Sequence, residues 1–323
     1  WSSDVCSSDL MPFPLIILAL LAIRGSFLEG ALTGIIFYVK PNFSAILDPE
    51  VWSAAMSQIF YTLTLAFGVM VSYASFRDTK SDISKSAILT AILNSGISLI
   101  SGFAVFTTLG HMAVKSGVPV AELAKSGPSL AFIVFPKALS MIPGAPIFAF
   151  LFFIMLVTLA IDSAFSLVEA VSTAVQDRFP HFPKKKLTLI ICFLGFLGGL
   201  IFTTQAGLYY LDITDHFITS YGLILVGLMQ CLAIGWVYGA DRLRHYINEV
   251  SDLHVHKIWN TMIKVVAPLI LTIILISTFI QDLRVPYEGY PSWAIMVFGW
   301  GVVIFVILTS IVMSLMTPKD FEN

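Results

Sequence analysis

The sequence predicts an all-α protein, a polytopic transmembrane helical bundle. Three observations lead to this fold class: 57% of the 323 residues are hydrophobic, only 12% are charged, and the apolar residues gather in long segments. Soluble domains carry about 25% charged residues, so a lipid bilayer is the environment that suits this composition. The formal net charge of −2, with no basic stripe, argues against a nucleic-acid partner. The three cysteines form neither a disulfide framework nor a metal-binding pattern.

The first ten residues, WSSDVCSSDL, match in frame the translation of a widely used sequencing-library adapter. We therefore predict that residues 1–10 are a sequencing artefact and exclude them from the fold. On this interpretation the natural chain is cut at or just before Met11, and residues 11–323 form a single transmembrane domain.

Eight apolar segments follow one another along the chain. The first is shorter than the roughly 20 residues that span a bilayer, as expected of a helix cut by the artefact. We predict the segments at residues 12–27, 52–76, 84–110, 145–176, 187–204, 217–238, 258–281 and 293–316.

Basic residues predict the orientation. The connections that begin near residues 77, 177 and 239 carry three, four and three Lys or Arg, whereas the alternate short connections carry one, none and one. Because cytoplasmic loops are enriched in Lys and Arg, the first set and the C-terminus are predicted to be cytoplasmic. The short connection around AGLYYLDITD is predicted to be external. The long external connection, residues 111–144, is rich in apolar residues, and we expect a helical hairpin that is either a lid or a packed cap without a gating role.

Segment 52–76 contains features that weaken a helix. Thr62, Thr64 and Gly68 lie at its centre, and Gly costs about 1 kcal/mol relative to Ala in a helix. One interpretation is an unwound stretch at membrane depth, where freed carbonyl groups line a cavity and hold a cation. The other is an ordinary helix that uses Thr and Gly for close packing.

Segment 145–176 is apolar but contains Asp162 and, seven residues later, Glu169. An unpaired carboxylate at bilayer depth costs at least a few kcal/mol, so both are expected to face a cavity or a partner. Asn94 and Ser98 likewise share one face of segment 84–110. Oxygen ligands without thiolate or imidazole suit a hard cation such as Na⁺. Glu169 is expected to be a buried, hydrogen-bonded carboxylate.

Four stretches carry a family resemblance: SQIFYTLTLAFGVMVSYASF, LNSGISLISGFAVF, GPSLAFIVFPKAL and LAIDSAFSLVEAVSTAVQDRFP. They closely resemble the neurotransmitter:sodium symporter family, from its fifth to its twelfth helix. The resemblance implies a bacterial member with the inverted-repeat fold of the bacterial leucine transporter, its first repeat largely missing. Residues 11–27 are then a truncated helix, residues 52–238 the second repeat, and residues 258–281 and 293–316 two C-terminal helices.

The resemblance also implies functional residues. The implied Na⁺ ligands of two sites are Thr62, Asn94, the carbonyl of Leu159, Asp162 and Ser163. The implied walls of the substrate pocket are Tyr61, Thr62, Thr64, Phe67, Ser163 and Leu167. Asp215 matches the acidic member of the extracellular gate.

Ser98 stands where chloride-independent bacterial relatives commonly have a carboxylate. Two adjacent sodium ions repel each other by several kcal/mol in a low dielectric, so a chloride ion on Gln58, Thr62 and Ser98 is one interpretation. A carboxylate on a missing helix, or transport without an anion, is the other.

The resulting functional prediction is a sodium-coupled secondary symporter of a neutral amino acid or related amine in the bacterial inner (plasma) membrane, and not an enzyme. The fragment alone is predicted to be inactive. The alternative is a channel or receptor-like protein, although no filter-like repeat is visible. No nucleophile–base pair supports an intramembrane enzyme, because all six histidines fall in or beside predicted loops.

Overall fold

The computed structural model describes residues 12–124 and 130–315, and all regular structure within them is helical. The predicted artefact at residues 1–10 and the predicted cytoplasmic C-terminus lie outside the described residues. Six helices in the described ranges are long and apolar enough to cross a membrane, or up to seven if one bent pair counts as a single span. This confirms the all-α, polytopic fold class.

The helices are numbered here in chain order. The short ones are α1 (Pro12–Ser26), α2 (Ala31–Val39), α3 (Pro49–Thr62), α4 (Val69–Ser75), α6 (Val120–Leu123) and α7 (Leu130–Ser140). The long ones are α5 (Ile83–Ser116), α8 (Ala145–Arg178), α9 (Lys184–Thr203), α10 (Gly207–Val250), α11 (Lys257–Gly289) and α12 (Ser292–Leu315).

The chain divides into two compact units. The first comprises residues 1–42 and 92–166, and the second comprises residues 43–91 and 167–323. Two long helices, α5 and α8, contribute residues to both units.

In the first unit, α1 and α2 form a pair bent by 113°. Gly30 stands at the bend with a φ of 84°, a left-handed conformation that glycine adopts without steric cost. Gly34 of α2 lies so close to α5 that a Cβ atom there would meet the carbonyl group of Phe106 and lie 3.1 Å from Cα of Gly110. Small residues at such crossings are typical of membrane helices, since they let two backbones approach.

Two apolar clusters complete the first unit. Leu139 and Phe135 of α7 pack with Phe152 of α8 and with α1, and the rings of Phe135 and Phe152 lie 4.7 Å apart. Leu109 of α5 packs with Val120 of α6 and with α7. The described part of the predicted 111–144 hairpin is therefore helical and packed against the end of α5. Residues 125–129 of that connection lie outside the described residues.

In the second unit, α3 packs against α10 and α11 through a cluster of Phe60, Leu223, Ile224, Leu271 and Ile274. A second cluster joins α10 to α12. Phe217 and Tyr221 of α10 stack with ring centroids 5.4 Å apart, and both contact the ring of Trp300.

The helices differ from the sequence prediction most at α2 and α10. The prediction lacked α2 altogether, because a nine-residue helix is too short to span a membrane and leaves no long apolar run. The stretch AGLYYLDITD was predicted to form a short connection, and this was wrong, because α10 begins at Gly207; at its other end α10 continues to Val250, beyond the predicted end at residue 238. The remaining polar turn before α10 is short, since α9 ends at Thr203.

Candidate functional site

The helix in segment 52–76 is broken. α3 ends at Thr62 and α4 begins at Val69, and between them Thr64, Ala66 and Gly68 have φ values of 54°, 66° and 79°. A left-handed conformation costs a non-glycine residue about 1–2 kcal/mol. Of the two interpretations open from the sequence, the structure therefore has the unwound stretch. Strained backbone of this kind persists only where its surroundings hold it, and it is frequent at binding sites.

Local hydrogen bonds and ring contacts hold the unwound stretch. The N–H of Thr64 bonds to the carbonyl of Tyr61 at 3.1 Å, and the N–H of Leu65 bonds to the carbonyl of Phe60 at 2.8 Å. The ring of Phe67 meets the ring of Tyr61 edge-on with centroids 6.0 Å apart, and it also packs against the Phe60 cluster. Two predicted pocket residues, Tyr61 and Phe67, are thus brought together.

The three residues predicted to bind Na⁺ on α8 lie within about one helical turn: Leu159, through its backbone carbonyl, and Asp162 and Ser163, through their side chains. Asp162 is half-buried, and among the described residues its carboxylate has no ion pair or hydrogen-bond partner; the hydroxyl of Ser166 donates to its backbone carbonyl at 3.2 Å. A half-buried carboxylate in an apolar helix needs a counter-charge. Hydroxyl, carbonyl and carboxylate oxygens together provide what a hard monovalent cation binds.

Transition-metal binding does not fit these residues. Within residues 12–124 and 130–315, no three His, Cys, Asp or Glu side chains come together as a metal site. A site with one carboxylate and several neutral oxygens suits Na⁺ better than a multiply charged ion, because fewer negative ligands balance one positive charge.

The other predicted residues are distributed over the two units. Asn94 and Ser98 lie four residues apart on α5, share one face and are half-buried. The first unit contains Asn94, Ser98, Leu159, Asp162 and Ser163. The second unit contains Gln58, Tyr61, Thr62, Thr64, Phe67, Leu167 and Asp215, of which Gln58, Tyr61, Leu167 and Asp215 are exposed.

Glu169 is less buried than the sequence analysis expected. Its side chain is 27% exposed, and Oε1 lies 2.8 Å from Nζ of Lys184 at the start of α9. The ammonium of Lys184 also lies 5.7 Å from the ring centroid of Phe76. The expected hydrogen bond is thus present, and its partner is the basic first residue of α9.

Three polar contacts were missed at the sequence level. Ser72 of α4 donates to the hydroxyl of Thr173 on α8 at 3.0 Å. His216 on α10 lies 3.0 Å from Asp282 on α11, and Tyr221 donates to the same carboxylate at 2.6 Å. The sequence does show polar side chains within apolar helices, which indicates that these side chains have partners. It does not identify the partners, because they lie 61 to 101 residues away along the chain.

Comparison with known proteins identifies the family. The model of the sodium:neurotransmitter symporter family matches residues 3–319. The chain belongs to this family. Symporter-family membership together with the long apolar helices establishes a multi-pass membrane protein of a sodium-dependent transporter family.

Relatives within the symporter family come from archaea and animals. An uncharacterized sodium-dependent transporter of Methanocaldococcus jannaschii is 39% identical over 308 residues, which cover 95% of this chain and 62% of the relative. The human sodium- and chloride-dependent neutral and basic amino acid transporter B(0+) is 37% identical over 309 residues, 92% of this chain and 48% of the relative. Sodium- and chloride-dependent glycine transporter 2 of Xenopus laevis is 32% identical over 318 residues, 96% of this chain and 40% of the relative.

The chain therefore spans about half the length of the curated relatives it matches. The predicted site residues of α3, of the unwound stretch after it, and of α5, α8 and α10 lie within the matched region.

Proposed function

We propose that the protein is a sodium-coupled secondary symporter of a neutral amino acid or a related amine, working by alternating access. One observation supports this most strongly: the break between α3 and α4, where Thr64, Ala66 and Gly68 have positive φ. Unwound backbone at membrane depth is tolerated only where it lines a cavity or is buried in protein, and transporters use it to bind ions and substrates.

In this proposal Asp162 is the charged ligand of a sodium ion, with Ser163 and the carbonyl of Leu159 beside it. The ion supplies the counter-charge that the apolar helix α8 lacks. Asn94 on α5 and Thr62 at the end of α3 are each assigned a sodium-ligand role in the other of two sites.

Substrate binding is assigned to the unwound stretch and to α8. Tyr61, Thr62, Thr64 and Phe67 offer two aromatic rings and two hydroxyls, and this mixture suits an amino acid with an apolar side chain. Ser163 and Leu167 are the corresponding residues of α8. Asp215 on α10 is the proposed acidic member of the extracellular gate.

Chloride is assigned to Gln58, Thr62 and Ser98. The amide of Gln58 and the hydroxyls of Thr62 and Ser98 can donate hydrogen bonds to an anion, and position 98 carries no carboxylate that would repel it. Two similar transporters, human B(0+) and the Xenopus glycine transporter 2, are sodium- and chloride-dependent by name. We expect uptake to fall when gluconate replaces Cl⁻. Ser98→Glu should abolish this dependence, because the new carboxylate supplies the negative charge; transport that stays fully chloride-sensitive in this variant would contradict the assignment.

Two further parts of the proposal concern the chain itself. We place the protein in the inner (plasma) membrane with the basic connections and the C-terminus in the cytoplasm. We also propose that residues 11–323 alone do not transport, since binding in inverted-repeat transporters lies between two repeats.

The test is uptake into proteoliposomes by the product of the complete source gene, with the 323-residue chain measured in parallel. We expect saturable uptake of a neutral amino acid that needs an inward Na⁺ gradient, and none from the shorter chain. Replacing Na⁺ by choline is the control. An ohmic current without substrate dependence would instead indicate a channel, and sodium-independent uptake would refute the coupling.

A further inference from the structure

A hydrogen-bond network joins α10 to the end of α11 and to the connection before α12. Nε2 of His216 lies 3.0 Å from Oδ2 of Asp282, and Tyr221 donates its hydroxyl to the same oxygen at 2.6 Å. Tyr290 donates to Oδ2 of Asp212 at 2.9 Å. The side chains of His216 and Asp282 are only 17% and 11% exposed, so water replaces these contacts poorly.

His216 is also held from its face. The ring of Tyr287 stacks on the imidazole with centroids 3.8 Å apart and an angle of 14° between the planes. Asp215 is the preceding residue on α10, so the contacts of His216 fix the helical turn that carries Asp215. This cluster does not fit a metal site: no third metal-binding side chain joins His216 and Asp282 in the described part of the chain.

We propose that His216, paired with Asp282, is a proton-binding site that positions the turn of α10 carrying Asp215. Protons on the side of the membrane opposite the basic connections would then regulate transport. The link to transport rests on the proposed gate role of Asp215, whereas the proton site itself rests on the network alone.

The surroundings determine the direction of the pH effect. The groups around His216 are Asp212, Asp215 and Tyr221 on its own helix, Asp282, Tyr287 and Glu288 on α11, and Tyr290 after it. Burial raises the pKa of Tyr290, so its phenol stays protonated and remains a donor to Asp212. The charged neighbours named here are all acidic.

Histidine side chains change charge between about pH 5 and pH 8. A protonated imidazole 3.0 Å from a carboxylate forms a charge-assisted hydrogen bond, and a cation against an aromatic face gains further attraction. The network is therefore strongest with His216 protonated. We therefore expect the network to stabilise the fold more at acidic pH than at neutral pH.

The first experiment measures the thermal unfolding midpoint of the purified, substrate-free protein between about pH 5 and pH 8. His216→Gln keeps a hydrogen-bond donor but cannot titrate, so most of the decrease in stability with rising pH should disappear. His254→Gln is the matched control, because His254 is exposed on the connection before α11. If His216→Gln does not fold, Asp282→Asn provides the test, and its pH-dependent decrease should be smaller than that of the wild type.

The second experiment measures the pH profile of sodium-dependent uptake in the same variants. We expect uptake by His216→Gln to depend less on pH than uptake by the wild type, and we expect this difference to lie in the apparent KM. His254→Gln should follow the wild type. A pH-dependent stability unaltered in both His216→Gln and Asp282→Asn would overturn the proton site. If stability responds as expected but no variant transports, the proton site stands and the proposed function fails.

Discussion

Replacing Gly34 with alanine tests whether the close contact between α2 and α5 stabilises the first unit. A Cβ atom at this position would overlap the carbonyl group of Phe106 and lie 3.1 Å from Cα of Gly110. These are backbone atoms, so no side chain can rotate away to make room. The two helices must move apart by on the order of 1 Å to restore ordinary van der Waals distances.

The aromatic contacts between the same two helices give the magnitude. Tyr38 stacks on Phe106 at 4.8 Å and meets Phe103 at 5.5 Å, and Phe37 lies 5.9 Å from Phe106. Each such pair contributes about 0.5–1.5 kcal/mol. A gap of about 0.5–1 Å removes roughly a quarter to a half of a contact's dispersion energy. Together with the strain of overpacking, we expect a loss of about 1–3 kcal/mol.

The matched control is Gly195→Ala on α9, where an added Cβ meets no atom within 4 Å. Both substitutions raise helix propensity by about 1 kcal/mol, so this term cancels when the two variants are compared. The assay is the unfolding midpoint of the purified protein in detergent. The unfolding entropy grows with chain length, so one kcal/mol shifts the midpoint of a 323-residue protein by about 1–2 °C, and Gly34→Ala should unfold at least about 1 °C below Gly195→Ala. Equal midpoints would refute the close-contact argument.

Three further substitutions address α5, α8 and α9. If Asp162 is the charged sodium ligand proposed above, Asp162→Asn should raise the Na⁺ concentration for half-maximal uptake at least about tenfold, about 1.4 kcal/mol; unchanged sodium dependence in uptake assays would contradict the proposal. Asp82 caps the start of α5, because its carboxylate accepts a hydrogen bond from the backbone N–H of Lys85, and this bond lowers the pKa of Asp82. The cap therefore contributes fully above the ordinary carboxyl pKa and is lost as the pH falls through the lowered pKa. In the wild type, amide exchange in the first turn of α5, relative to the intrinsic rate at the same pH, should therefore become faster in acid. Asp82→Ala should show no such change, and equal pH profiles of the two proteins would refute the capping role. Lys184→Ala should lower the free energy of unfolding by less than about 1 kcal/mol, because the side chain of its partner Glu169 is 27% exposed, and this loss should become smaller in high salt. A larger decrease in the unfolding midpoint that does not depend on salt would show that the pair is more than a surface contact.

The long helices could be predicted from the sequence because each apolar run must satisfy its backbone internally in lipid, but α5, α10 and α11 extend well beyond the predicted apolar segments. The break after Thr62 could be stated only as one of two alternatives. Thr64 and Gly68 weaken a helix locally, but whether it unwinds depends on contacts such as that of Phe67 with the Phe60 cluster. The distant residues of that cluster cannot be recognised from segment 52–76 alone.

The start of α10 shows the same limit. Asp212, Asp215 and His216 look like loop residues when only their neighbours in sequence are considered. In the structure they lie on a helix, and Asp212 and His216 are paired with Tyr290 and Asp282, 78 and 66 residues further along the chain. Glu169 is similar, because its partner lies 15 residues away across a turn. A polar residue in an apolar helix thus predicts a partner but not its identity.

The contacts of the broken helix bear on how a transporter of this family can change conformation. α3 is held by α10 and α11, through the Phe60 cluster and through a 3.2 Å hydroxyl contact between Ser53 and Thr278. α4 is held by α8, through the hydrogen bond of Ser72 to Thr173. In a continuous helix, any displacement of α4 would also displace α3 and strain both sets of contacts. With residues 63–68 unwound, each half can keep its own partners while the angle between them changes. The unwound residues, which include the proposed substrate residues Thr64 and Phe67, are therefore where a movement of α4 relative to α3 would alter the binding site most.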